Sequence, residues 1–261
     1  MNIKNLIDQA ASAIVKSNLT LALTGAGVSV DSGIPDFRGA GGLWSRYDPS
    51  EYATIEAFRN NPEKIWHMLR ELEEIVLGAE PNATHFGLGE LERIGRLDCV
   101  ITQNIDNLHQ AGGSRDVIEY HGNGSTLSCI WCGSTRSARE TRGVYPPICL
   151  CGKILKPDIV MFGEMISEEA LNRSFHLASR AEALLVIGTS ATVSPANTIP
   201  SIAKQNGAFI IEINTERTHL TEYMSDVFIQ GRAGEIVESL VEEVKVKLDD
   251  MEKKSLPRLK A

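Results

Sequence analysis

Four of the five cysteines in this 261-residue chain fall within one short stretch. They form two close pairs, Cys129-x₂-Cys132 and Cys149-x-Cys151, separated by a loop of 16 residues. Thiolates from two tight turns can complete a tetrahedral zinc site, and a Cys₄ set leaves no position open for catalysis. The spacing therefore predicts a structural zinc site, with four reduced free thiols as the alternative. The remaining cysteine, Cys99, lies in a strand-like segment and is expected to be a buried apolar side chain.

A glycine-rich turn, Gly25-Ala26-Gly27, directly follows a strand-like segment at residues 19–23. Glycines at such a point let the backbone approach a pyrophosphate, which favours dinucleotide binding. The same pattern is equally typical of a tight turn without a ligand. Val30 replaces the third glycine of G-x-G-x-x-G, and no second strand ending in Asp or Glu follows about 20 residues on. A hydride-transferring dehydrogenase is therefore disfavoured.

The loop after this turn places a carboxylate, an aromatic ring and a guanidinium side by side, at Asp36, Phe37 and Arg38. A guanidinium can bind a phosphate through two hydrogen bonds, and the ring can cover a planar leaving group. The alternative is a surface loop with incidental charges, which leaves an exposed phenylalanine unexplained.

Two later strand-like segments, residues 98–102 and 117–120, also end in polar side chains. Residues 102–106 offer amide and carboxylate groups, and His121 follows the second segment. Ligands of doubly wound sheets lie beyond the carboxyl ends of the strands, so these side chains can reach one. Asp106 has a helix start as its alternative role. His121 is the histidine best placed to be a general base near neutral pH.

The composition is that of an ordinary globular protein, with 43% apolar and 23% charged residues. The 26 basic and 34 acidic residues give a net charge of −8, which disfavours binding to nucleic acid or anionic membranes by bulk attraction. The longest apolar run, residues 183–187, is far shorter than the ~20 residues of a membrane span. The first 20 residues lack the apolar stretch of a signal peptide. We therefore expect a cytoplasmic protein with neither a direct nucleic-acid partner nor a membrane partner.

Helices and strands are predicted to alternate along most of the chain. Apolar spacing predicts helices at residues 3–17, 51–59, 62–78, 82–95, 168–180, 197–206 and 234–249, and strands at 19–23, 98–102, 117–120, 158–162, 183–187, 208–213 and 226–230. This alternation predicts an α/β fold with a doubly wound parallel, Rossmann-like sheet. The sheet domain is predicted to comprise residues 1–33, 84–122 and 158–250. Residues 34–83 form a loop and helical insertion, residues 123–157 a zinc-binding module, and residues 251–261 a tail.

Several motifs in a fixed order make the chain resemble the sirtuins, the NAD-dependent protein lysine deacylases. The resemblance covers about residues 10–245. Its motifs are Gly25-Ala26-Gly27-Val28-Ser29, Gly33-Ile34-Pro35-Asp36-Phe37-Arg38-Gly39, Thr102-Gln103-Asn104-Ile105-Asp106-Asn107-Leu108-His109, His121-Gly122, the two cysteine pairs, Val160-Met161-Phe162-Gly163-Glu164, Gly188-Thr189-Ser190 and Glu212-Ile213-Asn214.

The resemblance implies NAD and zinc as cofactors, with NAD bound across the sheet domain. The family's NAD-binding positions fall, from the nicotinamide side to the adenosine, on Gly25, Ala26, Gly27, Asp36, Phe37, Arg38, Gln103, Asp106, Gly188, Thr189, Ser190, Asn214 and Ala233.

The implied reaction is transfer of an acyl group from lysine to ADP-ribose with release of nicotinamide. In the family the acyl oxygen attacks the nicotinamide ribose, and a base then activates a ribose hydroxyl; His121 matches that base and Asn104 is the second catalytic residue. An acyl-lysine peptide is implied to pair as a strand with Val160, Met161, Phe162 and Gly163. Mono-ADP-ribosyl transfer or NAD hydrolysis shares the early step and is the alternative activity. An NAD-sensing module without turnover is a non-enzymatic alternative.

Two features depart from the family pattern. The second cysteine pair is one residue shorter than C-x₂-C. Sirtuins that prefer succinyl- or malonyl-lysine resemble one another in a Tyr-x-x-Arg pair, whose positions here hold Leu69 and Leu72, although a shifted register brings Arg70 into play. The apolar pair predicts acetyl or longer aliphatic acyl groups over acidic ones.

Overall fold

The computed structural model describes residues 2–37, 39, 42–141 and 143–255. The strands are β1 (Thr20–Thr24), β2 (Cys99–Thr102), β3 (Val117–Glu119), β4 (Gly122–Ser128), β5 (Thr135–Ser137), β6 (Lys156–Ile159), β7 (Ala183–Ile187), β8 (Phe209–Asn214) and β9 (Val227–Gln230). The helices are α1 (Ile3–Lys16), α2 (Pro49–Tyr52), α3 (Ile55–Asn60), α4 (Pro62–Leu77), α5 (Ala83–Arg93), α6 (Leu108–Ala111), α7 (Glu168–Ala178), α8 (Thr198–Gln205), α9 (His219–Tyr223) and α10 (Ala233–Ser255).

The larger sheet has six parallel strands in the order β3-β2-β1-β7-β8-β9, which confirms the predicted doubly wound fold. In its centre Leu23 pairs with Ile101 on one side and with Val186 on the other. The strand order reverses between β1 and β7. In such sheets the crevice beyond this reversal is where ligands bind.

Both faces of this sheet are covered by helices, because its central strands are apolar on both sides. Every residue of β1 and of β7 is buried. Leu21 and Leu23 contribute to a core with residues of α7 and α8, whereas Ala22 contributes to a core with residues of α1, α5 and α10. Burial on both faces is the normal situation of a parallel sheet.

A second, antiparallel sheet has the order β5-β4-β6. It shares one apolar core with the helical insertion, in which Phe58 and Ile65 belong to the same cluster as Leu127 and Leu155. The indole N–H of Trp66 donates to the Leu155 carbonyl at 2.8 Å. The sequence predicts two separate units at residues 34–83 and 123–157. In the structure they pack together around one core.

Two element predictions differ from the structure. The strand predicted at 158–162 lies at Lys156–Ile159 and belongs to the antiparallel sheet; its last two residues are only half-buried, unlike the central parallel strands. Helix α10 continues past residue 249 to Ser255. Residues 251–254, Met-Glu-Lys-Lys, are good helix formers, and Lys253 forms a 3.9 Å ion pair with Asp250 one turn earlier. Within the described residues, none of the helices combines the length and the apolar character needed to span a bilayer.

Candidate functional site

A cavity of about 1230 Å³ opens at the carboxyl ends of the central strands and extends beneath the helical insertion. It is large enough for more than one drug-sized ligand. The structure brings most of the predicted site residues to its wall, namely Gly25, Ala26, Gly27, Asp36, Phe37, Gln103, Asn104, His121, Val160, Met161, Phe162, Gly163, Gly188, Thr189, Ser190, Asn214 and Ala233. Asp106 does not line the cavity, and Arg38 lies outside the described residues.

The glycine turn after β1 is packed directly against the turn after β7. A Cβ on Gly25 would lie 2.7 Å from Cβ of Thr189, and one on Gly27 would lie 2.8 Å from Cα of Gly188. The Gly25 N–H donates to the Ile187 carbonyl and the Gly27 N–H to the Gly188 carbonyl, at 3.2 and 2.9 Å. These glycines therefore join two turns at the switch point, and their own amides are already used in doing so.

His121 is half-buried at the end of β3, with its ring facing the cavity. Its Nδ1 lies 3.0 Å from the Gln103 carbonyl, which can only accept, so the proton sits on Nδ1 and Nε2 keeps its lone pair. Burial lowers the pKa of His121 below its ordinary value of 6.5, partly offset by this hydrogen bond. The imidazole is therefore neutral near pH 7 and can take up a proton at Nε2.

Asn104 and Asp106 are joined through Ser29, a residue to which the sequence assigns no role. The Asn104 amide donates to Ser29 Oγ at 3.0 Å and to the Gly25 carbonyl at 3.1 Å. Ser29 Oγ in turn donates to Asp106 Oδ2 at 2.7 Å. Asp106 also accepts from the Leu108 N–H at 3.0 Å, which is the helix-start role held open for it. Asp106 thus lies outside the cavity and fixes the position of Asn104, which lines it, through Ser29.

The next part of the wall is a chain of amides and hydroxyls running from β2 to β8. The Gln103 side chain donates to Thr189 Oγ1 at 3.0 Å, and the Asn214 side chain donates to the Thr189 carbonyl at 3.0 Å. Asp31 and Arg232, also in the wall, form an ion pair across its far end. The sequence missed this pair because its members are 201 residues apart.

Phe37 stacks on Trp44 with ring centroids 5.2 Å apart, which accounts for the aromatic residue in this loop. Asp36 closes the loop by accepting from the Gly39 N–H at 2.7 Å. The aromatic pair therefore covers one side of the cavity.

The apolar end of the cavity is lined by Met68, Leu69 and Leu72 of α4. Arg70 does not reach it; its side chain is 56% exposed, pairs with Glu74 at 3.2 Å and lies over the Tyr145 ring. The prediction that leucines face this end of the cavity is therefore confirmed, and the shifted register that would bring Arg70 inside is excluded.

The predicted peptide-pairing segment runs along the cavity after β6. The N–H and C=O groups of Phe162 are already bonded, to the Ala53 carbonyl at 2.9 Å and to the Ile55 N–H at 3.0 Å. Among the described residues, nothing accepts from the N–H groups of Gly163 and Met165. A peptide can therefore form main-chain hydrogen bonds at Gly163 and beyond. Phe162, whose main-chain groups are already bonded, is 45% exposed and can contact a peptide only through its side chain.

The four clustered cysteines converge on one point. Their sulfur atoms all lie within 4.8 Å of one another, with Cys129 to Cys151 at 3.5 Å and Cys132 to Cys149 at 3.6 Å. Four thiolates at Zn–S distances of about 2.3 Å lie about 3.8 Å apart in a tetrahedron, so the donor set fits zinc. The short second pair is accommodated by a tight turn in which Gly152 has φ +81°.

Behind the cavity, two buried histidines make stability depend on pH. Burial lowers the pKa of His85 to about 4 and that of His109 to about 3, from 6.5. Their rings lie 4.9 Å apart, and Nε2 of His109 contacts Thr24 Oγ1 at 2.8 Å. Both rings are therefore neutral in the folded protein above pH 5.

We expect the free energy of unfolding to fall as the pH drops from about 6.5 toward 4, because the unfolded chain binds protons that these rings exclude. Each histidine contributes a slope of up to about 1.4 kcal/mol per pH unit. Urea unfolding at several pH values measures it. His85→Gln should flatten the slope, while His176→Gln, an exposed control on α7, should not; equal slopes for wild type and His85→Gln would contradict the assignment.

Comparison with known proteins gives consistent matches over nearly the whole chain. A family model described as the Sir2 family matches residues 25–195. NAD-dependent protein deacylase 2 of Pyrobaculum aerophilum is 46% identical over 239 residues, covering 91% of this chain and 96% of the relative. An NAD-dependent protein deacylase of Thermococcus kodakarensis is 43% identical over 248 residues, covering 92% and 96%.

Solved structures agree. A Sir2 homologue in complex with NAD superposes with a TM-score of 0.85 at 43% identity, covering 95% of both chains. A Sir2 protein bound to a myristoylated histone peptide gives a TM-score of 0.81 at 36% identity, covering 95% of this chain and 99% of the other.

Proposed function

The chain belongs to the Sir2 family, and from that premise we propose that it is an NAD-dependent protein lysine deacylase with His121 as its general base. One observation carries the assignment of His121: a neutral imidazole whose Nε2 keeps its lone pair faces the cavity. The same cavity contains the polar wall from Gln103 to Asn214 and the apolar end beside Leu69 and Leu72. Bound NAD would supply the ribose carbon that accepts the acyl oxygen, with nicotinamide as leaving group.

We assign the remaining roles from position in the cavity. Asn104, fixed by Ser29 and Gly25, is placed to orient the ribose next to His121. The remaining polar wall, Gln103 to Asn214, would bind the cofactor's hydroxyl and amide groups. The proposed cofactor-binding residues are those given from the sequence. Asp106 and Ser29 do not line the cavity, and we propose that they act on the cofactor only by fixing Asn104.

The substrate is an acyl-lysine protein or peptide. We propose that its main chain lies along residues 160–163 and that its acyl chain enters the apolar end of the cavity beside Leu69 and Leu72. Supporting this, the Gly163 N–H is left for a partner strand. The net charge of −8 disfavours nucleic acid and anionic membranes as partners.

We further propose cytoplasmic residence, because four thiols gathered as metal ligands need a reducing compartment. The domain limits predicted from the sequence are 1–33, 84–122 and 158–250 for NAD, 34–83 for the insertion, 123–157 for zinc, and 251–261 for the tail. We propose these limits with two changes: residues 158–159 go with the zinc-binding sheet, because they belong to β6, and residues 251–255 go with the NAD domain, because they belong to α10.

Incubation with NAD and an acetyl-lysine peptide, read by mass spectrometry, tests the function. We expect acetyl-ADP-ribose, free nicotinamide and unmodified lysine peptide in equal amounts. Peptide that gains ADP-ribose would instead indicate ribosyl transfer, and nicotinamide without peptide change would indicate NAD hydrolysis; either result would overturn the proposal.

We expect acetyl and longer aliphatic acyl-lysine to be deacylated faster than succinyl-lysine, by at least about tenfold in kcat/KM, because a carboxylate would be buried against leucines without a partner. Matched peptides differing only in the acyl group measure this. Leu72→Arg supplies a cation and should narrow the ratio, with Leu77→Arg, exposed at the end of α4, as control. Faster desuccinylation by the wild type would contradict the pocket assignment.

The pH profile of kcat/KM should follow the lowered pKa of His121. Since the neutral imidazole is the active form, the midpoint of the acid limb is expected below pH 6.5, the ordinary value. A rate profile between pH 5 and 8, collected where the fold is intact by circular dichroism, checks this; an acid limb above 6.5 would contradict it.

A further inference from the structure

Lys156 is a buried lysine, only 5% exposed, that lies outside the cavity wall. Its ammonium group donates to the carbonyls of Pro157 and Ile159, at 3.0 and 2.7 Å, and forms an ion pair with Glu164 at 3.0 Å. All three N–H bonds of the ammonium are thereby used. A buried charge is tolerated only when compensated in this way, so loss of the cation would leave Glu164 and two carbonyls without their partner.

The ion pair between Lys156 and Glu164 stabilises the turn at residues 161–164, which is part of the segment proposed to bind the substrate peptide. Glu164 Oε2, which binds Lys156, also accepts from the Met161 N–H at 2.9 Å, and the Glu164 N–H donates to the Met161 carbonyl at 3.0 Å. Gly163, the third residue of this turn, has φ +86°, a conformation that favours glycine. The turn therefore fixes the orientation of Phe162 and of the Gly163 N–H, which has no acceptor among the residues the structure describes.

The same segment is tied to the general base. The Val160 N–H donates to the carbonyl of His121 at 2.8 Å, one residue after the Ile159 carbonyl that Lys156 holds. Lys156 thus lies at the junction between the chain that carries the imidazole and the turn that offers the Gly163 N–H.

We propose that Lys156 and Glu164 form a positioning pair, which holds the peptide-docking turn at a fixed distance from His121. The inference rests on the proposed function, since it takes the acyl-lysine peptide as the ligand of this turn. Lys156 lies outside the cavity wall, and Glu164, although it lines the cavity, uses its carboxylate on Lys156 and the Met161 N–H, so we assign neither a direct part in the reaction. The pair acts on peptide binding, while the cofactor wall from Gln103 to Asn214 is built from other elements.

Steady-state kinetics with an acetyl-lysine peptide at saturating NAD, and NAD affinity by calorimetry without peptide, test the pair. Lys156→Met should raise the KM for peptide about tenfold, because displacement of the turn by an ångström misaligns the docked chain. The Kd for NAD should change less than about twofold. Lys156→Arg, which keeps the charge, should recover most of the loss, and Glu164→Gln should be intermediate, since its amide oxygen still accepts from Met161. Lys16→Met, an exposed control on α1, should match wild type.

Two results would overturn the proposal. The first is an unchanged KM for peptide in Lys156→Met. The second is a rise in the Kd for NAD that parallels the rise in the KM for peptide, because such a parallel change is the signature of a merely structural role. Dissociation constants of a fluorescent acetyl-lysine peptide, measured by anisotropy, separate this from the proposed function. Wild type that binds the peptide without turnover would contradict deacylation, yet the order of dissociation constants among the variants would still decide the positioning role. Wild type that does not bind the peptide would overturn both.

Discussion

His121→Ala should lower the rate of acyl-lysine turnover by about 10²–10⁴-fold, the usual contribution of a positioned general base. In the folded protein the ring offers one unprotonated nitrogen to the cavity, because its other nitrogen is held by the Gln103 carbonyl at 3.0 Å. Alanine removes this lone pair and leaves the polar wall from Gln103 to Asn214 unchanged. The measurement is single-turnover formation of acetyl-ADP-ribose from NAD and acetyl-lysine peptide.

In His121→Ala the early step, expulsion of nicotinamide, should continue, whereas the later transfer of the acyl group should be lost. Expulsion of nicotinamide requires the acyl oxygen and the ribose but not the imidazole, so exchange of labelled nicotinamide into NAD should persist after deacylation is lost. NAD affinity by calorimetry should stay within about twofold of wild type, as expected when only an interaction of the later step is removed.

His67→Ala serves as the matched control, since His67 is exposed on α4 and does not line the cavity. It should keep full activity. Complete deacylation by His121→Ala, or loss of NAD binding together with turnover, would remove His121 from the role of base.

Residues that could be located from the sequence share one property: their chemistry follows from residue type plus a local landmark. His121 follows a strand, and the cysteines form two close pairs, so neither needs knowledge of distant contacts. The sheet can be predicted for the same reason, because β7 is a continuous apolar run and β1 has an apolar centre, Leu21-Ala22-Leu23, each next to turn residues.

Features that depend on distant pairing could not be predicted. Ser29 bonds to Asp106 across 77 residues, and no local pattern distinguishes this serine from others in polar turns. Trp66 bonds to the Leu155 carbonyl across 89 residues, so the shared core of the two insertions appears only in the folded chain. The strand predicted at 158–162 is wrong in its bounds and its sheet, since β6 lies at Lys156–Ile159 in the antiparallel sheet. A short apolar run shows no hydrophobic periodicity that could assign it to one sheet or the other.

Removal of zinc is expected to unfold the smaller sheet while the six-stranded sheet remains folded. Structural zinc contributes about 10–16 kcal/mol of binding free energy in small peptides, comparable to or above the whole stability of a typical domain at about 5–15 kcal/mol. Cys129 and Cys149 belong to the buried cluster that also contains Leu69 and Met161. Loss of the metal should therefore disturb the apolar end of the cavity, where Leu69 lies, and abolish peptide turnover.

The zinc content by metal analysis should be about one atom per chain for wild type and well below that for Cys149→Ser. Hydrogen exchange after treatment with a strong chelator should show lost protection in β4 and β6 and retained protection in β1 and β7. Cys99→Ala is the matched control, because this cysteine is buried in β2 outside the cluster; it should keep the metal. A Cys149→Ser protein with full zinc, or a chelated protein with unchanged exchange in β4, would show that the thiols do not hold this part of the fold through a metal. The expected pattern, with protection retained in β1 and lost in β4, would place the stabilising role of the zinc in the smaller sheet, whose core also contains Leu69 of the helical insertion.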